Sequence, residues 1–164
     1  MGGRIRLATE DDLGAVVAAY DAARGFMRAN GNPTQWPGAY PGLPDAEKDL
    51  AAGALWVLDE GLGAVAAMSV LPGPDPTYAV IEGVGWLDDD PYWVMHRMAV
   101  ARPGRGAGTR LLSWLCERHH NVRADTHADN VPMQRTLEKC GFVRRGTIWV
   151  EDGTPRVAYH FVRR

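Results

Sequence analysis

Lysine is nearly missing from this chain. Only Lys48 and Lys139 stand among 18 basic residues, and the other sixteen are arginines. That preference reads as genome base composition, because the arginines are scattered rather than gathered on one segment. The 20 acidic residues leave a net charge of −2 and a pI near 6.2, so no global field recruits nucleic acid. Cysteine is also scarce. Cys116 and Cys140 both fall on predicted helices, and without a secretion signal they read as reduced core thiols of a cytoplasmic protein. His119-His120 lacks the spaced partner set that zinc needs, so no metal is expected. No stretch approaches the ~20 apolar residues of a membrane span. The start, Met1-Gly2-Gly3-Arg4-Ile5-Arg6, reads as neither a signal peptide nor a myristoylation site, since Arg6 stands where Ser or Thr is required. No repeat or low-complexity segment is visible. What remains is 164 residues with 46% apolar side chains, enough for one domain over 1–164 with a proper core.

The chain then reads in order. Ile5 and Leu7 alternate with polar neighbours and predict a short strand. Thr9 opens a helix, with Asp12 three residues on as a capping-box variant, and Leu13, Val16, Val17, Tyr20 and Ala23 carry its apolar face to about Met27 or Arg28. Residues 30–44 hold Pro33, Pro37, Pro41, Pro44, Gly31, Gly38 and Gly42 and form a loop. Its Trp36 and Tyr40 suit either a binding lid or a plug over the core. Asp45 is the expected cap of a short helix ending near Gly53. Residues 54–58 and 64–70 make a hairpin. Residues 77–91 stay open between a strand edge and a helix turn.

Tyr92 to Val100 is a strand. Simple alternation places Trp93, Met95, Arg97 and Ala99 on one face and Val94, His96, Met98 and Val100 on the other. A glycine-rich turn, Arg102-Pro103-Gly104-Arg105-Gly106-Ala107-Gly108-Thr109-Arg110, leads into a helix over about 106–118. A strand, such a turn and a helix start aim several backbone N–H groups and a positive dipole end at one spot, which suits a pyrophosphate. A short strand (122–126), a helix capped by Asp129 or Asn130 and ended by Gly141, and a hairpin of 142–150 with 157–162 complete an α/β mixed sheet. The unit from 92 to 126 is its one clear parallel pair.

Here the residues resemble a family. Arg105-Gly106-Ala107-Gly108-Thr109-Arg110 is similar to the Arg/Gln-x-x-Gly-x-Gly/Ala acetyl-CoA signature of the GNAT superfamily of N-acetyltransferases, with Arg110 departing at the last position. Asn130, Lys139, Gly141 and Phe142 match that family's second motif, with Met133 and Leu137 replacing its Ala and Tyr. The run Asp125-Thr126-His127-Ala128-Asp129-Asn130-Val131-Pro132-Met133-Gln134 resembles a stretch of a bacterial GNAT branch.

The resemblance implies a mixed, mostly antiparallel sheet flanked by helices, with an acetyl-CoA cleft between two parallel central strands. It implies that N–H groups of Arg105, Gly106, Ala107, Gly108, Thr109 and Arg110 hold the pyrophosphate, with the Arg110 side chain pointing away. The pantetheine arm would lie along Met98, Ala99 and Val100, near Asn130. A Tyr usually protonates the leaving thiolate, and Leu137 cannot. His96 is therefore read either as the base that takes the amine's proton or as a satisfied core histidine. His127 is read either as a substrate-orienting or thiolate-protonating group or as a loop histidine holding the helix cap. The expected activity is acetyl transfer from acetyl-CoA to a small-molecule or peptide amine by direct attack, with a homodimer open. The alternative is a non-catalytic acyl-CoA-binding or sensing module. A nucleotide-binding protein ranks below both, since Thr109-Arg110 follow Gly108 where a P-loop needs Lys-Ser/Thr.

Overall fold

The computed structural model describes residues 3–164. Met1 and Gly2, the start of the segment read above as neither signal nor myristoylation site, lie outside the described residues. Strand β1 (Arg4–Leu7) leads through a single 3-10 turn, Glu10–Asp12, into α1 (Leu13–Ala29). Asp12 closes the capping box by accepting from the Thr9 N–H at 2.8 Å, and it also takes the Arg6 guanidinium at 2.7 Å. Helix α1 buries Val16, Ala19, Tyr20, Ala23 and Met27. Helix α2 (Leu43–Ala51) starts two residues before the expected cap. Gly42 is the N-cap, Pro44 fits the first turn, and Asp45 instead accepts from the Gly42 N–H at 2.8 Å.

Strands β2 (Leu55–Asp59) and β3 (Ala64–Pro72) form the expected hairpin. The open region resolves into both of its options. A 3-10 turn spans Pro76–Tyr78, and β4 (Glu82–Gly83) is a two-residue edge strand. The remainder is β5 (Trp93–Val100), α3 (Ala107–Arg118), β6 (Asn121–Thr126), α4 (Val131–Lys139), β7 (Val143–Trp149) and β8 (Pro155–Val162). Together the strands make one sheet in the order β1-β2-β3-β5-β6-β8-β7-β4, and every pair except β5–β6 is antiparallel.

Alternation along the strands divides the core into two layers. Val57 and Ala67 pack under α1 with Val16 and Tyr20, whereas Leu58 and Met68 face Leu111, Leu112, Leu115 and Leu137 of α3 and α4. Those four leucines are fully buried, and truncating any one to Ala costs about 2–5 kcal/mol. A third, smaller cluster holds Tyr78, Val94, Ile148 and Ala158 beneath the segment 74–92.

That segment is pinned by His160 of β8, which is fully buried. Its Nδ1 accepts from the Leu87 N–H at 3.0 Å, which leaves Nε2 to donate to the Asn121 Oδ1 at 2.7 Å. With both nitrogens used, the ring is neutral, and burial, helped by the nearby Arg123 charge, lowers it to about 4. The unfolded chain takes up this proton near pH 6.5 and the folded chain does not. Stability is therefore expected to fall by about 3 kcal/mol between pH 6.5 and 4. Urea unfolding across that range should show the loss, and a His160→Gln variant should flatten it.

Candidate active site

Strand β5 does not keep the simple alternation. Trp93 and Met95 face α3, and Val94 faces the opposite side, as expected. Beyond Arg97 the phase flips: Met98 and Val100 join the α3 core and Ala99 packs with α1. The expected grouping of His96 with Met98 and Val100, and of Ala99 with Trp93 and Met95, is therefore corrected. The cause is a bulge. His96 pairs with Ser69 and Ala99 with Ala67, so Arg97 and Met98 together oppose Met68. Arg97 sits at φ 50, the one non-glycine residue with positive φ among the described residues. That conformation costs an L-residue about 1–2 kcal/mol.

The second feature is a parting of strands. β5 and β6 pair only at Trp93 with Val122 and Val94 with Arg123. Past these rungs they diverge, and the β6-facing edge of β5 has no ladder partner. The gap is a cavity of ≈ 550 Å³ lined by Met95, His96, Arg97 and Met98 on one side and Asp125, Thr126 and Asn130 on the other.

At the far end of β5 stands the glycine turn. Gly104 and Gly106 have φ of 81° and 76°, which a side chain resists. Helix α3 begins at Ala107, and its first internal bond runs from the Arg110 N–H to the Gly106 carbonyl at 3.0 Å. The Arg110 N–H is therefore already used, contrary to the role the resemblance implied. The N–H groups of Gly106, Ala107, Gly108 and Thr109 take no acceptor among the described residues. The Arg110 side chain does point away, donating to the Gly3 carbonyl at 3.0 Å and lying 3.6 Å from Glu60. Arg105 is exposed on the turn. Gly108 lies against Met98, whose sulfur would sit 3.5 Å from an added Cβ.

His96 lines the cavity and holds the Asp75 Oδ2 through Nε2 at 2.9 Å. Asp75 in turn accepts from the Thr77 hydroxyl at 2.7 Å and its N–H at 2.9 Å. Burial alone would raise the Asp75 carboxyl, but the His96 ring and the Thr77 donors outweigh it and hold it at about 2. An ionised carboxylate only accepts, so Nε2 carries the proton and Nδ1 is left as the basic nitrogen. Nδ1 makes no hydrogen bond among the described residues. Opposite, Asp125 accepts from the buried Tyr78 hydroxyl at 2.7 Å. Burial raises the Asp125 carboxyl, offset in part by His96 and by the Tyr78 bond, and burial also raises Tyr78.

His127 does not line the cavity. Its Nδ1 accepts from the Asp129 N–H at 3.0 Å and its Nε2 meets the Thr34 hydroxyl at 3.2 Å. Asn130 is the helix cap, with Oδ1 accepting from the Met133 N–H at 3.2 Å and Nδ2 donating to Gln35 at 3.0 Å. Gln35 Oε1 also takes Asn32 at 2.8 Å. Of the two readings of this loop, the contacts show the plug. Trp36 plugs the core edge-on to Tyr20, while Gln35 and Thr34 reach across to the start of α4. Leu137 is fully buried, so the side chain at the usual Tyr position belongs to the core. Cys116 and Cys140 are free, and burial pushes the Cys116 thiol up to about 12.

Asp75, Gln35 and Tyr78 were not singled out by the sequence. Asp75 lies in the breaker Pro74-Asp75-Pro76, and nothing local points from it to His96 across 21 residues. Asp125 was visible only as a flank of His127.

The acetyltransferase (GNAT) family model matches residues 16–142. The chain belongs to the acetyltransferase (GNAT) family. None of the curated proteins matches this acetyltransferase in sequence. Among solved structures, a GNAT family acetyltransferase from Streptococcus agalactiae is similar at TM-score 0.92 and 29% identity, covering 100% of this chain and 97% of that one. A GNAT family acetyltransferase from Listeria monocytogenes gives TM-score 0.68 at 16% identity, with 98% and 95% covered. The aminoglycoside acetyltransferase AAC(6')-Ib, solved with ribostamycin and coenzyme A, gives 0.66 at 22% identity, with 99% and 94% covered. The last two likenesses speak to the fold alone. No helix among the described residues of this acetyltransferase is long and apolar enough to cross a membrane.

The Asp75–His96 pair has a stability signature as well as a chemical one. A carboxyl lowered from 3.8 to about 2 contributes about 2 kcal/mol above pH 4, and this is lost as pH falls through 2. Asp75→Asn is expected to lower the urea midpoint at pH 7 while costing little at pH 2, which denaturation at the two pH values measures.

Proposed function

We propose that this acetyltransferase moves an acetyl group from acetyl-CoA to a primary amine of a cationic small molecule or peptide, by direct attack of the amine. One observation carries the reading. The cavity that holds the Asp75-bound His96 reaches Met98, and Met98 lies against Gly108 at the start of α3, where the N–H groups are free.

The residues present fit the donor. The four unsatisfied N–H groups of Gly106, Ala107, Gly108 and Thr109, with the positive end of α3, suit its pyrophosphate. The unpaired edge of β5 at Met98, Ala99 and Val100 suits the amide-bearing arm, which would bond to it as an added strand does. Arg105, exposed beside the turn, supports the same end by charge. Asn130 supports the arm's path indirectly, by capping α4 and anchoring Gln35. When bound, acetyl-CoA supplies an activated thioester carbonyl.

The chain's own part is to deliver a neutral amine and manage two proton steps. Asp75 holds the His96 ring so that Nδ1 is the atom that takes the amine's proton. One histidine alternating between base and acid serves both steps, so the hydroxyl missing at Leu137 is not required. His127, bound at both nitrogens, supports the closed loop and through it the acceptor side, in place of a proton transfer of its own. The acceptor end carries Asp45, Asp75, Asp125, Glu151 and Asp152, against Lys48, Arg156 and an Arg97 neutralised by Asp49. That excess of negative charge favours a cationic acceptor.

The test is release of free thiol from acetyl-CoA in the presence of a panel of polyamines, amino acids, peptides and aminoglycosides. Turnover with cationic amines is expected, and His96→Ala should lower kcat/KM about a hundredfold or more. No thiol release across the panel would overturn the reading.

A further inference from the structure

We propose that Asp49, on α2, is a positioning residue for this site: by gripping Arg97 it fixes the bulge that sets where His96 stands. The inference rests on the reading of His96 as the base. Asp49 itself does not line the cleft and is buried at 3% exposure. Its Oδ2 and Oδ1 accept from the Arg97 Nε and Nη2 at 3.0 and 2.8 Å. Arg97 Nη2 also donates to the Ser69 hydroxyl at 3.5 Å, and Ser69 is the register partner of His96. The grip therefore ties α2 to both strands at the bulge.

The physical argument starts from the residue type. A positive φ at the first position of a bulge is where glycine sits without strain. An arginine survives there only where its surroundings over-determine it. The bidentate fork supplies that determination, because two parallel bonds fix both the position and the plane of the guanidinium. Without it, β5 gains by relaxing into regular alternation, and a one-residue slip of the rungs before the bulge would turn His96 to the other face. The strain at Arg97 and the buried carboxylate that answers it thus form one device, and its output is the placement of His96 against Asp75.

The test combines transfer kinetics with nitrogen-labelled histidine spectra of the full chain. Two variants are used, Asp49→Asn alone and Asp49→Leu with Arg97→Met. The double variant leaves no buried charge but keeps a side chain at the strained position, so it keeps the fold even where the single variant does not, while the grip is gone. In both, kcat is expected to fall about tenfold or more, with KM for acetyl-CoA changed less than about twofold, because the α3 end of the cleft is untouched. The His96 ring signal is expected to broaden or split. A single sharp parent-like His96 signal in the double variant overturns the proposal, as does an unchanged kcat or a loss confined to KM or to the thermal midpoint. Should the parent chain transfer no acetyl group, the acetyl-transfer reading fails and the His96 signal alone decides: splitting in the double variant supports the grip, and no change overturns it.

Discussion

The parting of β5 and β6 after two rungs is the constraint on which the rest of the molecule depends. A sheet normally spends its backbone groups on its neighbours, and an unpaired edge in the interior is costly unless something else takes its bonds. Here the edge faces a cleft instead of a strand. The helix that crosses over from β5 to β6 begins past the end of β5 with Gly108 against Met98, so its own unsatisfied N–H groups lie near that edge. Two sets of unpaid backbone bonds, one from a strand and one from a helix, are thereby gathered in one place. The core beneath is filled by Leu111, Leu112, Leu115 and Leu137, which keeps α3 and α4 rigid against the sheet while the cleft stays open.

Charge differs between the cavity and the start of α3. The start of α3, next to Met98, offers backbone donors and the exposed Arg105, and the cavity lining is crowded with carboxylates. Between them His96 is held by an ionised Asp75, and Asp125 is raised by burial beside Tyr78. Environments that push neighbouring titratable groups in opposite directions are what acid–base chemistry requires. The loop 30–42 closes one side. Arg24 of α1 holds it through the Tyr40 and Pro41 carbonyls at 3.0 and 3.1 Å, and Gln35 holds it through Asn130. The segment 74–92 closes the other, anchored by the neutral His160.

Much of this was legible because it is local. The order of elements, the glycine turn and the Asn130 cap all follow from neighbours within a few residues in sequence. What failed was also physical in origin. Alternation misassigned the second half of β5 because it assumes a regular strand, and a single αL residue at Arg97 inserts an extra position. Asp45 missed its place as cap because Gly42 and Pro44 start α2 three residues earlier. The Arg110 N–H was assigned to the anion cradle because the turn length alone does not say where the first helical bond closes.

By itself, then, the sequence determined the mixed α/β class, the parallel unit around the glycine turn and the cluster of backbone N–H groups at the start of α3. Short-range propensity and the helix dipole are enough for those, since they act over a turn or two of chain. Only the tertiary structure decided which groups meet His96. Asp75, Asp125 and the Asp49–Arg97 pair come from four separate elements and are joined by sheet register and by helix docking, which no local pattern encodes.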